Sequence, residues 1–215
     1  MVENSVAGSE TERLSLLRVR RRPWRWLLGT LALSAIVATS LIFWLLMPRV
    51  PTDNSAEAGF ARDMITHHEQ AVEMALLMRD RTTDPLMRSF TTDIILTQTN
   101  QMGQMMGWLD VWRLPLTGLD RPMTWMGHGG QSMPGMASSQ EIAELAASEG
   151  IEAEIQFLQL MIRHHEGALP MAREILERSD NPVTDRLATS ILNAQQNEID
   201  IMSAMLTERD AAPIP

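Results

Sequence analysis

The chain of 215 residues contains no cysteine and no lysine, so all 18 of its basic residues are arginine. Without cysteine, neither a disulfide framework, a zinc–thiolate site nor a lipoprotein anchor can form. No Ser-His-Asp grouping, phosphate-binding loop or pair of buried carboxylates is recognisable in the sequence. These absences favour a binding or interaction protein over an enzyme, with a redox enzyme as a third alternative.

Charge is distributed unevenly along the chain. Residues 1–26 carry six Arg and three acidic residues, whereas residues 51–215 carry 11 Arg and 24 acidic residues, within a total net charge of -9. An acidic domain of this kind repels nucleic acid and attracts cations. We therefore expect no nucleic-acid partner.

Residues 27–47 form an apolar run of 21 residues without a charge. This length suits a hydrocarbon core of roughly 30 Å, so the run predicts a transmembrane helix in the lipid bilayer. Five Arg precede it and only Arg49 follows closely, so the positive-inside rule predicts a single-pass cell-membrane protein with a cytoplasmic basic segment at 1–26 and an extracytoplasmic remainder. A cleaved signal peptide, cut near Ala56 or Ala58, is the alternative.

An internal repeat occupies most of the remaining sequence. Residues 60–75 and 157–172 align at an offset of 97 with nine identities in 16 positions, and the match continues without a gap over about fifty residues. Each copy predicts two helices, the second opened by an N-cap and a proline, as in Asp84-Pro85 and Asn181-Pro182. Two hairpins that cannot bury their own apolar faces predict an all-α four-helix bundle.

The predicted organisation has five parts after the membrane segment. They are a linker at 48–55, a first hairpin at 56–112, a loop rich in Met, Gly and Pro at 113–138, a short helix and second hairpin at 139–209, and a tail at 210–215. Ser138 and Glu141 predict a capping box for a short helix over about 139–149, closed by Gly150. Pro170 predicts a kink in the third major helix rather than its end.

Four of the five histidines form two adjacent pairs on apolar helix faces, His67-His68 and His164-His165. Their duplication by the repeat favours a function over packing alone. Neighbouring helix residues point about 100° apart, so one pair does not chelate one ion from the same helix. Residues three or four positions apart do meet, so Met64 can share an ion with either histidine of the first pair, and Met161 with either of the second.

Four other residues are predicted to orient the imidazoles. Gln98 and Gln195 lie in the middle of the facing helices and are candidates to hydrogen-bond a ring nitrogen. Glu69 and Glu166 follow the histidine pairs on the polar side, where they either orient an imidazole or remain solvated.

Methionine is abundant, with 17 residues in the chain and 15 of them after residue 50. Methionines on helices commonly fill cores, but the loop at 113–138 has no core that requires them. A second, mobile metal site is therefore predicted at Met123, Met126, His128, Met133 and Met136. Thioether and imidazole groups without thiolates or clustered carboxylates form a soft ligand set that suits Cu(I).

Iron is disfavoured as the metal. A di-iron bundle site needs Glu-x-x-His on two helices and a Glu on each of the others. Here the acids beside the histidine pairs are assigned to the solvent side, as are Asp63 and Gln70, and Asp63 is replaced by Leu160 in the repeat.

The motif M-I-x-H-H-E-x-A-x-x-M-A occurs twice, each copy is followed by Q-x-N-[EQ]-[IM], and MPGM precedes the second copy. Over residues 56–209 the chain resembles the domain of unknown function 305 family. The resemblance implies a ferritin-like four-helix bundle, often secreted or anchored, and copper binding in some periplasmic members. It places the family's paired histidines at His67, His68, His164 and His165 and its recurrent methionines at Met64, Met74, Met161 and Met171. Pro170 and Thr97 depart from the family pattern.

The leading hypothesis is a membrane-anchored, extracytoplasmic protein that buffers or delivers copper through its Met/His clusters, together with a metallochaperone or membrane-complex partner. The alternative is a non-enzymatic accessory subunit of a larger membrane complex. In that case the histidine pairs are structural and the loop is the contact surface.

Overall fold

The computed structural model describes residues 24–46 and 50–214, and the chain divides between residues 49 and 50 into two compact units. The basic segment predicted to be cytoplasmic lies largely outside the described residues, as do Met47 and Arg49.

The first unit contains helix α1, Trp24–Leu46. Its stretch Trp24–Trp44 has a mean hydropathy of 2.0 and is long and apolar enough to cross a membrane. Signal sequences have the same properties. The hydroxyl groups of Thr30, Ser34 and Thr39 donate to carbonyls three or four residues earlier, at 2.8–3.0 Å. These bonds satisfy three hydroxyl groups in a helix that is otherwise mostly apolar.

Five α-helices form the second unit, and no strand occurs in the described part of the chain. They are α2 (Ala56–Arg79), α3 (Pro85–Val111), α4 (Ser139–Ala147), α5 (Gly150–Arg178) and α6 (Pro182–Thr207), with one 3-10 turn at Thr124–Met126. The predicted all-α fold with an N-terminal apolar helix is therefore confirmed.

Helix boundaries follow their capping residues. The Asp84 carboxylate accepts from the Leu86 amide at 2.8 Å and the Asn181 side chain accepts from the Val183 amide at 3.0 Å, as the repeat predicts. The capping box of Ser138 and Glu141 is also confirmed.

Two local expectations for the second repeat have different outcomes. Helix α5 continues through Pro170, so the proline does not end it. The expectation that Gly150 closes α4 is wrong: α4 ends at Ala147 because Ser148 is extended, and Gly150, with φ of +60°, begins α5.

Four long helices share two apolar cores. Helix α2 packs on α3, α5 packs on α6, and the α2–α5 contact joins the two hairpins. The first core includes Phe60, Met64, Leu109, Met171 and Ile191. The second core includes Met74, Ile94, Phe157, Met161 and Met202. Each core contains residues of α2, α3, α5 and α6, so the second unit is a four-helix arrangement. The first core joins the beginning of α2 to the later part of α5, and therefore these two helices run in opposite directions.

The loop between α3 and α4 is fastened along α2. Arg62 donates to the Pro115 carbonyl at 2.9–3.1 Å. The Asp63 carboxylate accepts from the Met123 amide at 2.8 Å and from the Trp125 indole at 2.9 Å. Gln70 exchanges two hydrogen bonds with the main chain of Ala137, at 2.7 and 2.8 Å.

These contacts correct the solvent-side assignment of Asp63 and Gln70. Asp63 is 7% exposed and Gln70 is half-buried, because the loop covers the face of α2 that the helix pattern leaves polar. Burial is the largest influence on Asp63 and raises the pKa of its carboxyl, although the two hydrogen bonds and Arg62 oppose that rise.

Candidate metal-binding site

A band of polar side chains separates the two cores in the middle of the bundle. This polar band consists of His67 and His68 on α2, Gln98 and Gln101 on α3, His164 and His165 on α5, and Gln195 and Glu198 on α6. All four histidines are fully buried. The repeat explains the pattern, because each position on α2 and α3 has its counterpart 97 residues later.

The histidines of the two repeats touch each other. The ring centroids of His67 and His164 are 3.8 Å apart with planes tilted by 43°, and those of His164 and His165 are 6.2 Å apart. The α2–α5 contact thus brings histidines from both pairs into one place.

Three of the four histidines are held through Nε2. His67 Nε2 lies 2.9 Å from the Pro134 carbonyl oxygen, His68 Nε2 lies 2.7 Å from Gln101 Oε1, and His165 Nε2 lies 2.6 Å from Glu198 Oε2. The two side-chain partners are repeat mates, each 33 residues beyond its histidine.

The predicted orienting residues are not these partners. Gln98 and Gln195 are buried, but neither makes a side-chain hydrogen bond within the described residues. Gln101 and Glu198 lie about one helical turn further along the same faces, and they reach the rings instead. Glu69 and Glu166 point outward and are exposed.

Unpaired polar atoms concentrate in the polar band. Of the 11 buried side-chain nitrogen and oxygen atoms that lack a hydrogen-bond partner in the described structure, nine belong to it. They are Nδ1 of His67, His68 and His165, both ring nitrogens of His164, and both amide atoms of Gln98 and Gln195. Buried polar atoms are nearly always paired in native proteins, so this concentration marks the band as a place where stability is not optimised.

Burial keeps the imidazoles of His67, His68 and His164 neutral. It lowers the pKa of His67 to about 4, against the hydrogen bond to Pro134, and the pKa of His68 to about 3. Burial also lowers the pKa of His164 well below its ordinary value, and the nearby imidazoles add to the effect. At neutral pH the three rings therefore carry a lone pair instead of a charge, which is the form that binds metal ions.

Methionines flank the polar band on both sides. Met64 and Met171 are fully buried in the first core, whereas Met74 and Met161 are fully buried in the second. Each core thus contributes one predicted sulfur ligand from α2 and one from α5. Their positions fit ordinary core packing as well as a soft metal site.

The loop methionines are divided between core and surface. Met123 is 3% exposed and belongs to the first core, Met133 packs against that core, and His128 is exposed. Met126 and Met136 are half-buried. Hence the structure does not gather the five loop residues into one exposed cluster.

The segment 133–136 packs against α2 and α5 where the histidines meet. A methyl group added to Gly135 would lie 3.0 Å from the Cα atoms of His164 and Gly167, and one added to Gly167 would overlap the carbonyl of Pro134. This approach of main chain to main chain is what lets the Pro134 carbonyl reach His67. The loop therefore supplies a main-chain partner to the polar band.

No three His, Asp or Glu side chains form a ready metal-binding group within residues 24–46 and 50–214. Sequence reasoning missed Gln101, Glu198, Pro134 and the anchoring role of Asp63. The offset of 97 relates Gln101 to Glu198 and was a usable signal for that pair. Pro134 lies in the MPGM motif, but its residue type does not indicate its role, because its contribution is a main-chain carbonyl.

The fold and the site define a helical-hairpin repeat protein with a histidine-containing polar band. Residues 57–206 match the family described as domain of unknown function (DUF305), and the chain belongs to that family. A DUF305 protein from Streptomyces coelicolor, described as a candidate secreted protein, is 48% identical, with a TM-score of 0.74 over 76% of this chain and 99% of its own. A DUF305 fragment from Deinococcus radiodurans is 36% identical, with a TM-score of 0.63 over 75% and 99%.

More distant similarities extend the comparison. CopM in its Cu(I)-bound form is 23% identical, with a TM-score of 0.56 over 74% of this chain and 97% of its own, and therefore shares the fold. The uncharacterized protein L153 of Acanthamoeba polyphaga mimivirus is 44% identical over 54 residues, which span 25% of this chain and only 36% of that relative.

Proposed function

We propose that this protein is a membrane-anchored, extracytoplasmic copper-binding protein that buffers or delivers the ion. The observation that carries the proposal is the polar band, where four fully buried histidines from two repeats meet with unpaired ring nitrogens between two methionine-containing cores. The proposed ligands are the two pairs with their neighbouring methionines: His67, His68, Met64, Met74, His164, His165, Met161 and Met171.

The donor chemistry of the polar band fits Cu(I). Neutral imidazoles and thioethers are soft to intermediate ligands, whereas metals that prefer oxygen need carboxylates. The two acids that follow the histidine pairs are exposed, and Glu198 already accepts from His165. In this environment the ring nitrogens and sulfurs would supply coordination without thiolate. The fold shared with CopM, which has been solved with Cu(I), Cu(II) and silver, supports the same choice.

The proposed location rests on the apolar helix α1 and the charges around it. Five Arg between residues 18 and 25 favour a cytoplasmic N-terminus, and this supports an extracytoplasmic location for the acidic second unit. The relative from Streptomyces coelicolor, described as a candidate secreted protein, is in keeping with an extracytoplasmic domain.

Competitive Cu(I) titration of the full-length protein in detergent, under reducing conditions, tests the proposal. Replacing all four paired histidines with alanine should abolish tight binding, whereas His128→Ala, at an exposed loop position, should not. Methionine-to-leucine changes conserve volume and remove sulfur. Two variants with these changes distinguish the two predicted sites. One replaces the helix methionines Met64, Met74, Met161 and Met171, and the other replaces the loop methionines Met123, Met126, Met133 and Met136.

Circular dichroism provides the folding control for each variant. Unchanged copper stoichiometry in a helical four-histidine variant would reject the proposal and assign the histidines to packing. An accessory subunit of a membrane complex would then be the better hypothesis, to be tested by co-purification after mild detergent extraction.

A further inference from the structure

The tautomers of three buried histidines follow from their hydrogen-bond partners. The Pro134 carbonyl, Gln101 Oε1 and Glu198 Oε2 face Nε2 of His67, His68 and His165 respectively. An oxygen acceptor requires that Nε2 carry the hydrogen, so in the neutral form of each ring the lone pair is on Nδ1. All three Nδ1 atoms are buried and have no partner in the described part of the chain. Nδ1 is therefore the nitrogen that these rings can offer to a metal ion.

Gln101 and Glu198 occupy the same position in the two repeats but differ in charge. Each reaches the second histidine of its own hairpin, at 2.7 Å for the amide and 2.6 Å for the carboxylate. Glu198 makes no ion pair with an arginine among residues 50–214, so its described ionic contact is with His165. The carboxylate is thus placed behind the imidazole and is not used to fasten two helices through arginine.

The difference in charge has a chemical consequence for the two rings. A carboxylate that accepts from one imidazole nitrogen makes the other nitrogen a stronger metal donor. A neutral amide orients the ring through a weaker hydrogen bond. The two repeats therefore present unequal donors even though their histidines match.

We infer that Glu198 and Gln101 are positioning residues that make Nδ1 of His165 a stronger metal donor than Nδ1 of His68, so that the second repeat binds metal first. This inference rests on the metal-binding function proposed above. It adds a binding nitrogen, an order of loading and the residues that set that order.

Cu(I) competition with a chromophoric chelator tests the order of loading in the full-length protein. Glu198→Gln keeps the size of the side chain and should weaken the tighter binding step about ten- to a hundredfold. Gln101→Glu should strengthen the weaker step by a similar factor. The exchange variant Q101E/E198Q should retain two unequal steps with the order of the repeats reversed.

Nitrogen NMR of ¹⁵N-histidine-labelled protein shows which atoms respond. In the metal-free protein, the rings of His67, His68 and His165 should carry hydrogen on Nε2. Addition of diamagnetic Cu(I) below one equivalent should shift the Nδ1 resonance of His165 before that of His68. In the exchange variant the Nδ1 resonance of His68 should move first.

The outcomes separate this inference from the proposed function. Hydrogen on Nδ1 of His68 or His165 in the metal-free protein would overturn the inference whatever the variants do. Unchanged affinities in both E198Q and Q101E, with binding still lost in the four-histidine variant, would overturn it and leave the copper function intact. A wild-type protein that binds no Cu(I) would overturn both the inference and the proposed copper function. The gain of affinity expected for Q101E is a result that misfolding cannot imitate.

Discussion

His164 lies in an environment that a purely structural residue would not be expected to keep. Its side chain is fully buried, neither ring nitrogen has a partner among the described residues, and its ring is in contact with that of His67. A buried donor or acceptor without a partner costs about 1–3 kcal/mol relative to a paired one. Such a cost is usual at positions where function opposes stability.

Replacing His164 with leucine should therefore stabilise the metal-free protein. We expect His164→Leu to raise the free energy of unfolding by about 1–2 kcal/mol, because it removes unpaired polar atoms and adds apolar volume. Denaturant unfolding of the metal-free protein, with chelator present, provides the measurement.

The neighbouring His165 provides a matched control, for which the expected change in the free energy of unfolding has the opposite sign. His165→Leu removes the hydrogen bond to Glu198 and leaves a half-buried carboxylate without a partner, so it should lower the free energy of unfolding by about 1–3 kcal/mol. If both leucine variants are destabilised alike, the ring of His164 contributes to packing more than its unpaired nitrogens cost.

Stability of the metal-free protein should fall in mild acid. In the unfolded chain a histidine has a pKa of about 6.5. Burial in the native protein lowers the pKa of His67 to about 4 and that of His68 to about 3. Burial also lowers the pKa of His164 well below its ordinary value. Below pH 6.5 the unfolded chain binds protons that the native protein does not, so the free energy of unfolding decreases as pH falls toward 4. His67 and His68 each contribute a loss of about 2 kcal/mol at pH 5.

Denaturant unfolding at pH 7.5 and pH 5.0 measures this dependence. His164→Leu should reduce the difference in the free energy of unfolding between the two pH values, since one of the three titrating groups is gone. Equal stability of the wild-type protein at both pH values would show that its buried histidines are protonated without opening the bundle.

At the level of elements, the sequence predicts what is local and misses what depends on the helix crossing. The N-caps Asp84 and Asn181 were predictable because a cap acts within three residues of itself. Gln98 and Gln101 lie on one face of α3, about a turn apart, so periodicity alone could not tell which one meets His68. That choice is made by the position of α3 against α2.

The loop shows the same limit more strongly. Asp63 and Gln70 resemble solvent-facing residues in a helix pattern, and only the folded loop turns them into its anchors. Main-chain partners such as the Pro134 carbonyl leave no trace in residue type. The loop was expected to be mobile, yet its hydrogen bonds run from Arg62 to Gln70 along α2.

A methyl group at Gly167 should release the loop from α5. Gly167→Ala places its Cβ in the Pro134 carbonyl, which is main chain and cannot rotate away. We expect a loss of about 1–3 kcal/mol in the free energy of unfolding. Amide hydrogen exchange should accelerate at Ala137, whose N–H is held by Gln70 in the wild-type protein.

Gly107→Ala is the matched control for this change. Gly107 also lies inside a helix, but an added Cβ there meets nothing within 4 Å. Helix propensity predicts that this variant gains up to about 1 kcal/mol. Similar stability changes in both variants would show that the loop does not depend on its close approach to Gly167.

At the level of the whole molecule, the duplicated hairpin accounts for most of what the sequence could predict. A constant offset of 97 implies equivalent helices, equivalent caps and equivalent histidines, and the all-α fold follows from these. The meeting of His67 with His164 does not follow from the offset alone, because it depends on α2 and α5 packing in opposite directions. The division into two cores with a polar band between them is a property of the assembled bundle.

Because the polar band lies between the two cores, binding of a metal ion there should stabilise the whole bundle against unfolding. An ion held in the polar band would bind the folded bundle and not the unfolded chain, so a free concentration of 100 Kd should stabilise the protein by about 2.7 kcal/mol. For a domain of this size, the unfolding temperature should then rise by about 5–11 °C in one transition that includes both cores. An ion held only by exposed loop residues such as His128 would bind the unfolded chain nearly as well and would raise that temperature little. Thermal unfolding by circular dichroism, with and without Cu(I), distinguishes the two sites, and the shift should disappear in the four-histidine variant but persist in His128→Ala.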